Sequence, residues 1–413
     1  MRHIIIGAGP AGVVAAETLR RQDPEGEIFL IGDEPEPAYS RMAIPYLLAG
    51  QIEESGTWLR HDPGHFERLA IRRRQERVTR VDSAARRVHL EQGGELEYDR
   101  LLLASGSRPL TPPIDGMDLP GIHHCWTLAD ARAIAERAVA GSRVVLMGAG
   151  FIGCIIMEAL VKRGVRLTVV EMGDRMVPRM MDQVAGNLIK SWCQQKGIEV
   201  LTSTRVLSLE PVAEEGLLLR CEGGARELPA DLVVVATGVK PALAYLEGSG
   251  IETGEGVRVD RFLQTSAPGV YAAGDLCEGF DWSTGERAVN AIQPAAVETG
   301  RIAALNMSGT PTPYAGGLGM NVLDTLGLIS TSYGLWMGVE GGESAELLDE
   351  AAFRYLKLQF QEERLVGAIV LGRTEQIGVL RGLIQGRVRL GPWKQRLMAD
   401  PTRIMEAYLG ATQ

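Results

Sequence analysis

The chain has 413 residues, enough for several domains with large cores; 45% are hydrophobic, only 5% are aromatic, and 50 are glycines, as in α/β enzymes rich in tight turns. A net charge of −9 and a pI near 5.4 argue against a general nucleic-acid surface. No apolar stretch approaches a membrane span, and the apolar run beginning at His3 leaves no room for a signal peptide, so a cytoplasmic location is expected.

The first element is the run His3-Ile4-Ile5-Ile6, which reads as a strand and leads directly into Gly7-Ala8-Gly9-Pro10-Ala11-Gly12. In such a loop the first glycine permits a tight turn, the second lets backbone approach a pyrophosphate, and the third lets the helix pack on the strand. The helix N-terminus then offers unpaired N–H groups and partial positive charge to the phosphates. The helix, through Ala15, Ala16 and Leu19, leads to a second strand, Ile28 to Ile31. The acid expected at its end is displaced, because Gly32 precedes Asp33 and Glu34. Val88 to Leu90 and Tyr98 to Ala104 read as further strands, followed by Ala104-Ser105-Gly106-Ser107-Arg108-Pro109 and a proline-rich crossover to Pro120.

A second loop, Gly148-Ala149-Gly150-Phe151-Ile152-Gly153, follows the strand Val144 to Met147. Here Leu167 to Val170 ends in Glu171, about 20 residues past the loop, where a carboxylate accepts hydrogen bonds from both ribose hydroxyls. It repels a 2′-phosphate, so NAD(H) is favoured over NADP(H), although Arg175 and Arg179 follow closely and leave that preference open. Two such loops mean two nucleotide sites on one chain, between which electrons can pass. The unit ends in Ala236-Thr237-Gly238-Val239-Lys240-Pro241, which repeats the pattern at Ala104. Then come Pro268 to Asp275, a loop to Arg287, and a helix starting near Pro294. From Tyr314 the chain reads as strands and then helices, without a nucleotide loop. Cys125, Cys154, Cys193, Cys221 and Cys277 form no close pair, so neither a disulfide framework nor a zinc or Fe–S site is expected, and His123-His124 point apart on a strand; no metal site is assigned.

These motifs, GAGPAG at Gly7, ASGSRP at Ala104, GAGFIG at Gly148, ATGVKP at Ala236 and PGVYAAGD at Pro268, resemble the FAD-dependent pyridine nucleotide oxidoreductases over residues 1 to about 312. The nearest branch resembles the rubredoxin, ferredoxin and nitrite reductase flavoproteins, through Gly316 to Asn321 and Gly378 to Tyr408. The resemblance implies an α/β fold with two Rossmann-like domains, the NAD domain inserted in the FAD domain, and an α+β C-terminal interface domain. The expected boundaries are 1–112 and 241–312 for FAD, 113–240 for NAD, and 313–413 for the interface domain.

It also implies roles. FAD would be held by Gly7, Gly9, Pro10, Ala11, Gly12, Arg41, Pro45, Ala104, Ser105, Gly106 and Gly274, with Asp275 on the ribitol, and with Asp33, Glu34 and Val78 around the adenosine. Gln293, Pro294 and Ala295 would start a helix aimed at the flavin pyrimidine edge, where the dipole stabilises charge on reduced flavin. NAD(H) would lie on Gly148, Gly150, Phe151, Ile152, Gly153, Glu171 and Gly238.

The sequence departs from its relatives in places. Met42 stands where disulfide-reducing relatives carry a redox cysteine, and a thioether forms no thiolate or mixed disulfide, so electrons must leave the flavin another way. Pro45 and Ile155 replace a lysine and a glutamate that pair near the nicotinamide; losing both leaves no buried charge unpaired and makes the pocket more apolar. Trp126 replaces an arginine near the FAD phosphates. No side chain is a catalytic acid or base, because hydride transfer belongs to the cofactor.

The expected function is electron transfer between NAD(H) and an Fe–S or redox protein, as a free reductase or as the NAD-linked subunit of a larger complex such as an anaerobic 2-oxoacid dehydrogenase. An NADH oxidase reducing O2 and a non-enzymatic structural flavoprotein are the alternatives. From Leu371 onward Arg373, Arg381, Arg387, Arg389, Lys394, Arg396 and Arg403 face only Glu375, Asp400 and Glu406, so an acidic ferredoxin- or rubredoxin-like partner is expected to dock there. The run Arg72-Arg73-Arg74 with Arg77 is a weaker candidate, because charge runs are usually solvated faces.

Overall fold

The computed structural model describes residues 1–212, 216–222 and 226–412. The chain forms two compact units, Met1–Leu47 with Ile52–Arg108 and Val239–Gly317, and Leu48–Gln51 with Pro109–Gly238 and Leu318–Gln413.

In the first unit a parallel five-stranded sheet has the order Val270–Ala272, Arg100–Leu103, Arg2–Ile6, Glu27–Gly32, Ile71–Gln75. Its central strands are continuously apolar because both faces are covered: Ile4, Ile5, Leu101, Leu102 and Leu103 are fully buried. The strand expected from Tyr98 begins at Arg100, because the Tyr98 N–H donates to the Arg86 carbonyl instead of joining the parallel sheet. The helix Pro10–Gln22 turns Ala11, Ala15, Ala16 and Leu19 inward and packs against the helix Gln293–Met307. Small residues set that spacing, since a Cβ on Gly300 would lie 2.3 Å from the Ala11 carbonyl oxygen.

The second unit repeats the plan, with parallel order Glu199–Leu201, Arg166–Val170, Arg143–Met147, Leu232–Val235, Ile122–His124. In both sheets the strand before the glycine loop is central, with crossovers leaving on either side, and ligands of such sheets bind beyond the carboxyl ends at that reversal. The same unit contains a five-stranded antiparallel sheet, ordered Met320–Thr325, Leu328–Gly334, Arg364–Leu371, Arg354–Gln361, Glu343–Asp349, then three short helices. The segment Leu48–Gln51 is held in this unit by Arg163, which donates to the Leu48, Ala135 and Ala138 carbonyls.

His3 is fully buried in the first sheet, with Nε2 3.0 Å from Asp23 Oδ2. Burial draws its pKa below the ordinary 6.5, outweighing the hydrogen bond and charge of Asp23. A depressed histidine contributes stability that is present above 6.5 and lost as pH falls through the folded value. Melting temperature should therefore fall as pH is lowered below 6.5, before carboxylates titrate, and His3→Gln should flatten part of that slope; His123, also shifted down by burial, supplies more of it.

Candidate cofactor sites

The glycines of the first loop divide by what surrounds them. Gly7 has φ +115°, and a Cβ there would stand 2.0 Å from the Ala104 carbonyl oxygen; a Cβ on Gly12 would stand 1.9 Å from the Gly7 oxygen. These two close the strand, loop and helix onto one another. Gly9 has nothing within 4 Å of its Cβ position and an ordinary φ of −78°. The space it leaves lies at the start of the helix Pro10–Gln22, whose first turn has no side-chain cap. Backbone donors facing open space next to a missing side chain fit a pyrophosphate.

Around this loop the structure gathers the other FAD candidates of the first unit. Ala104 lies against Gly7, and Gly274 packs on Ala11. Ser105 Oγ is 3.0 Å from the Tyr245 hydroxyl. Ser107 donates to Asp275 at 2.8 Å; burial pushes the Asp275 carboxyl above the ordinary range, against the pull of Ser107 and the Arg41 charge. Gln293 accepts from Ser40 Oγ at 2.5 Å, and Pro294 and Ala295 open a helix without a side-chain cap. Glu34 accepts from the Tyr39 hydroxyl at 2.5 Å and from Arg41 at 2.6 Å, while Val78 is buried. Asp33 is bonded by Arg108 at 3.1 Å and Arg77 at 3.3 Å. Burial works to raise its carboxyl, but Arg108 and Arg77 prevail and hold it below the ordinary range. The sequence does not single out those partners of Asp33: Arg108 is the fifth residue of ASGSRP, and Arg77 stands only as part of a charge run.

The second loop repeats the division. Gly148 has φ +102° and a Cβ position 2.5 Å from the Ala236 oxygen, Gly153 would meet the Gly148 oxygen at 2.1 Å, and Gly150 faces open space at the uncapped start of Phe151–Lys162. By contrast, the helices Leu128–Arg137 and Gln183–Gln195 of this unit are capped by Thr127 and Asp182. Glu171 caps the loop itself: Oε2 accepts from Ala149 N and Oε1 from Gly173 N, both at 2.7 Å. Arg175 folds back onto the Met181 and Pro178 carbonyls and Asp174, so it is committed to its own loop. Arg179 is exposed, 3.9 Å from the Cβ position of Gly238. Phe151, Ile152 and Ile155 are half-buried on the helix.

Met42 is 47% exposed in the short turn Arg41–Ala43, and Pro45 is half-buried in the helix that follows. All five cysteines are buried. Desolvation pushes Cys125, Cys193 and Cys277 up to about 12 and raises Cys154 and Cys221 too, so all are poor thiolates.

The basic regions are less open than the sequence implies. Lys394 is paired with Glu343 and Arg403 with Glu406, while Arg396 and Arg403 lie over the Trp393 ring at 4.3 and 5.6 Å. Arg381 bonds Gln385, and Arg389 bridges to Arg364 through the backbone. In the earlier run, Arg72, Arg74 and Arg77 pair with Glu27, Glu76 and Asp33.

Two parallel sheets, each with a glycine loop at an uncapped helix start and an acid beyond its second strand, fit a dinucleotide-linked oxidoreductase. Residues 1–295 match the Pyridine nucleotide-disulphide oxidoreductase family, and the chain belongs to it. FAD and NAD(H) are its cofactors. Residues 320–388 match the Rubredoxin NAD+ reductase C-terminal domain. The chain is 34% identical to the NADH-dependent phenylglyoxylate dehydrogenase subunit epsilon of Aromatoleum evansii, over 100% of this chain and 98% of that one. It is 33% identical to an NADH oxidase of Methanocaldococcus jannaschii, over 76% of this chain and 71% of that one. In fold it matches the structure of the covalent putidaredoxin reductase–putidaredoxin complex, with TM-score 0.91, 24% identity, and coverage of 100% and 99% of the two chains. Among the described residues no helix is long and apolar enough to cross a membrane.

The two kinds of glycine should separate in experiment. Gly150→Ala adds a methyl to open space at negative φ, so the melting temperature should hold while Kd for NAD+ rises. Gly148→Ala meets a carbonyl oxygen at positive φ and should cost about 2–4 kcal/mol of stability, read by denaturant unfolding.

Proposed function

We propose that this chain is the NAD-linked flavin component of an Fe–S oxidoreductase, passing electrons between NAD(H) and an Fe–S protein or subunit, in a complex acting on a 2-oxo acid. The full-length likeness to a dehydrogenase subunit carries this reading, since it runs through the C-terminal region as well as both nucleotide sheets. The chemistry agrees: Met42 occupies the position of a redox thiol and every cysteine is buried, so a thiol relay is unavailable. A cytoplasmic location accords with this role.

When bound, FAD would supply two-electron exchange with NADH and one-electron exchange with an Fe–S centre. The residues supply placement. The N–H groups after Gly9 and Gly150 would hold the two pyrophosphates, Asp33 and Glu171 the adenosine riboses, and Asp275 the ribitol. With Ser40 engaging its Gln293 side chain, the helix Gln293–Met307 would direct its N-terminal dipole to the pyrimidine edge. Pro45 would lie near the flavin and Ile155 near the nicotinamide, neither of them charged. Glu171 disfavours a 2′-phosphate, and Arg175, spent on its own loop, does not offset that.

The NADH oxidase likeness supports a second reading, direct reduction of O2. Native isolation from the host, with subunit identification and flavin spectra before and after NADH, distinguishes them. An Fe–S subunit that co-purifies with NADH-reducible flavin is expected; a lone flavoprotein consuming O2 rapidly with NADH overturns the proposal. If the partner docks at the C-terminal basic face, Arg381→Glu with Arg389→Glu should slow electron transfer to it about three- to tenfold at low salt. NADH–ferricyanide activity should stay unchanged.

A further inference from the structure

We propose that Tyr355 and Lys357, on the C-terminal antiparallel sheet, are positioning residues for NAD(H): they set its affinity by fixing the loop that follows Glu171. This rests on reading the second glycine loop as the NAD site.

The residue that joins them to the site is Asp182, which ends that loop and caps the helix Gln183–Gln195. Its Oδ1 accepts from Ala185 N at 3.0 Å. Its Oδ2 receives the Tyr355 hydroxyl at 2.9 Å and the Lys357 ammonium at 3.2 Å. Lys357 also bonds Glu346 at 2.8 Å, so one ammonium stands between two carboxylates. Tyr355 is fully buried, and Lys357 and Asp182 are about four-fifths buried, so these contacts are poorly screened. The far end of the helix is fixed as well: Trp192 Nε1 donates to the Thr325 and Leu326 carbonyls at 3.1 and 3.2 Å, and its ring meets Phe353 edge-on at 5.2 Å. The sheet thus grips the helix at both ends.

From the helix to the nucleotide loop there is little slack. A Cβ on Gly186 would lie 2.7 Å from the Met176 oxygen, and Arg175 bonds the Met181 carbonyl at 2.9 Å. Met176, Val177, Met180 and Met181 are buried. Val177 N donates to the Ala149 carbonyl at 2.8 Å, and Ala149 N donates to Glu171 at 2.7 Å. A shift at Asp182 therefore reaches the middle residue of Gly148-Ala149-Gly150 and the ribose carboxylate through hydrogen bonds and close backbone contacts. Removing the ammonium leaves Asp182 facing Glu346 without an intervening cation, which pushes the start of the helix away from the sheet.

The test uses the purified flavoprotein with ferricyanide as acceptor, so that its outcome is independent of the natural electron partner. Lys357→Met should raise KM for NADH and Kd for NAD+ about three- to tenfold, with kcat changed less than about twofold. Tyr355→Phe should move the same constants less, and Lys357→Arg should restore them. A lower melting temperature with KM and Kd unchanged, or a fall in kcat alone, would overturn the proposal and leave these residues purely structural. If the parent protein shows no NAD+ or NADH binding, the NAD site assignment fails instead.

Discussion

Backbone contact is the constraint on which both halves of this molecule depend. At Gly7 and Gly148 the chain leaves a strand with a positive φ and passes so close to the carbonyl oxygens of Ala104 and Ala236 that no side-chain atom fits. Gly12 and Gly153 repeat the contact one turn later against the oxygens of Gly7 and Gly148. These approaches set where each helix begins relative to its sheet, and so where its unpaired N–H groups point. The binding geometry is a by-product of the packing. Gly9 and Gly150, which meet nothing, are the positions in the two loops at which the packing itself does not demand the absence of a side chain.

On this shared backbone the two sites use their acids differently. Asp33 is held between two guanidinium groups, so its negative charge is largely spent before a ribose arrives. Glu171 is held by backbone N–H groups of its own loop and of the glycine loop. Amides carry no net charge, so Glu171, unlike Asp33, keeps a net negative charge that is not cancelled by a neighbouring cation. Of the two acids, the second is thus the one whose charge is not already met by an opposite charge.

Much of this was legible in the sequence because its determinants are local. Strand, glycine loop, helix and acid follow one another within about thirty residues, and the run after His3 and the run after Val144 show the period and punctuation of a βαβ unit. What could not be read depends on distant pairings. Nothing near Lys394 announces Glu343, nor near Arg72 announces Glu27, so basic stretches that looked open are partly neutralised in the fold. Arg108 belongs to a recognised motif, yet its bond to Asp33 spans 75 positions. The grip of Tyr355 and Lys357 on Asp182 joins segments more than 170 residues apart and leaves no periodic trace.

The inward fold of Arg175 bears on how the cofactor preference of this lineage can change. An arginine a few residues beyond the ribose acid looks like a ready-made phosphate ligand, yet here it is a rivet through its own loop. Recruiting it for a phosphate would give up its bonds to the Met181 and Pro178 carbonyls, in the turn whose Val177 N–H meets the Ala149 carbonyl. The cation nearer to hand is Arg179, exposed beside Gly238, and Glu171 would still oppose a phosphate there. One arginine cannot both hold that loop shut and receive a phosphate, so any change of preference that starts at Arg175 is coupled to the stability of the turn.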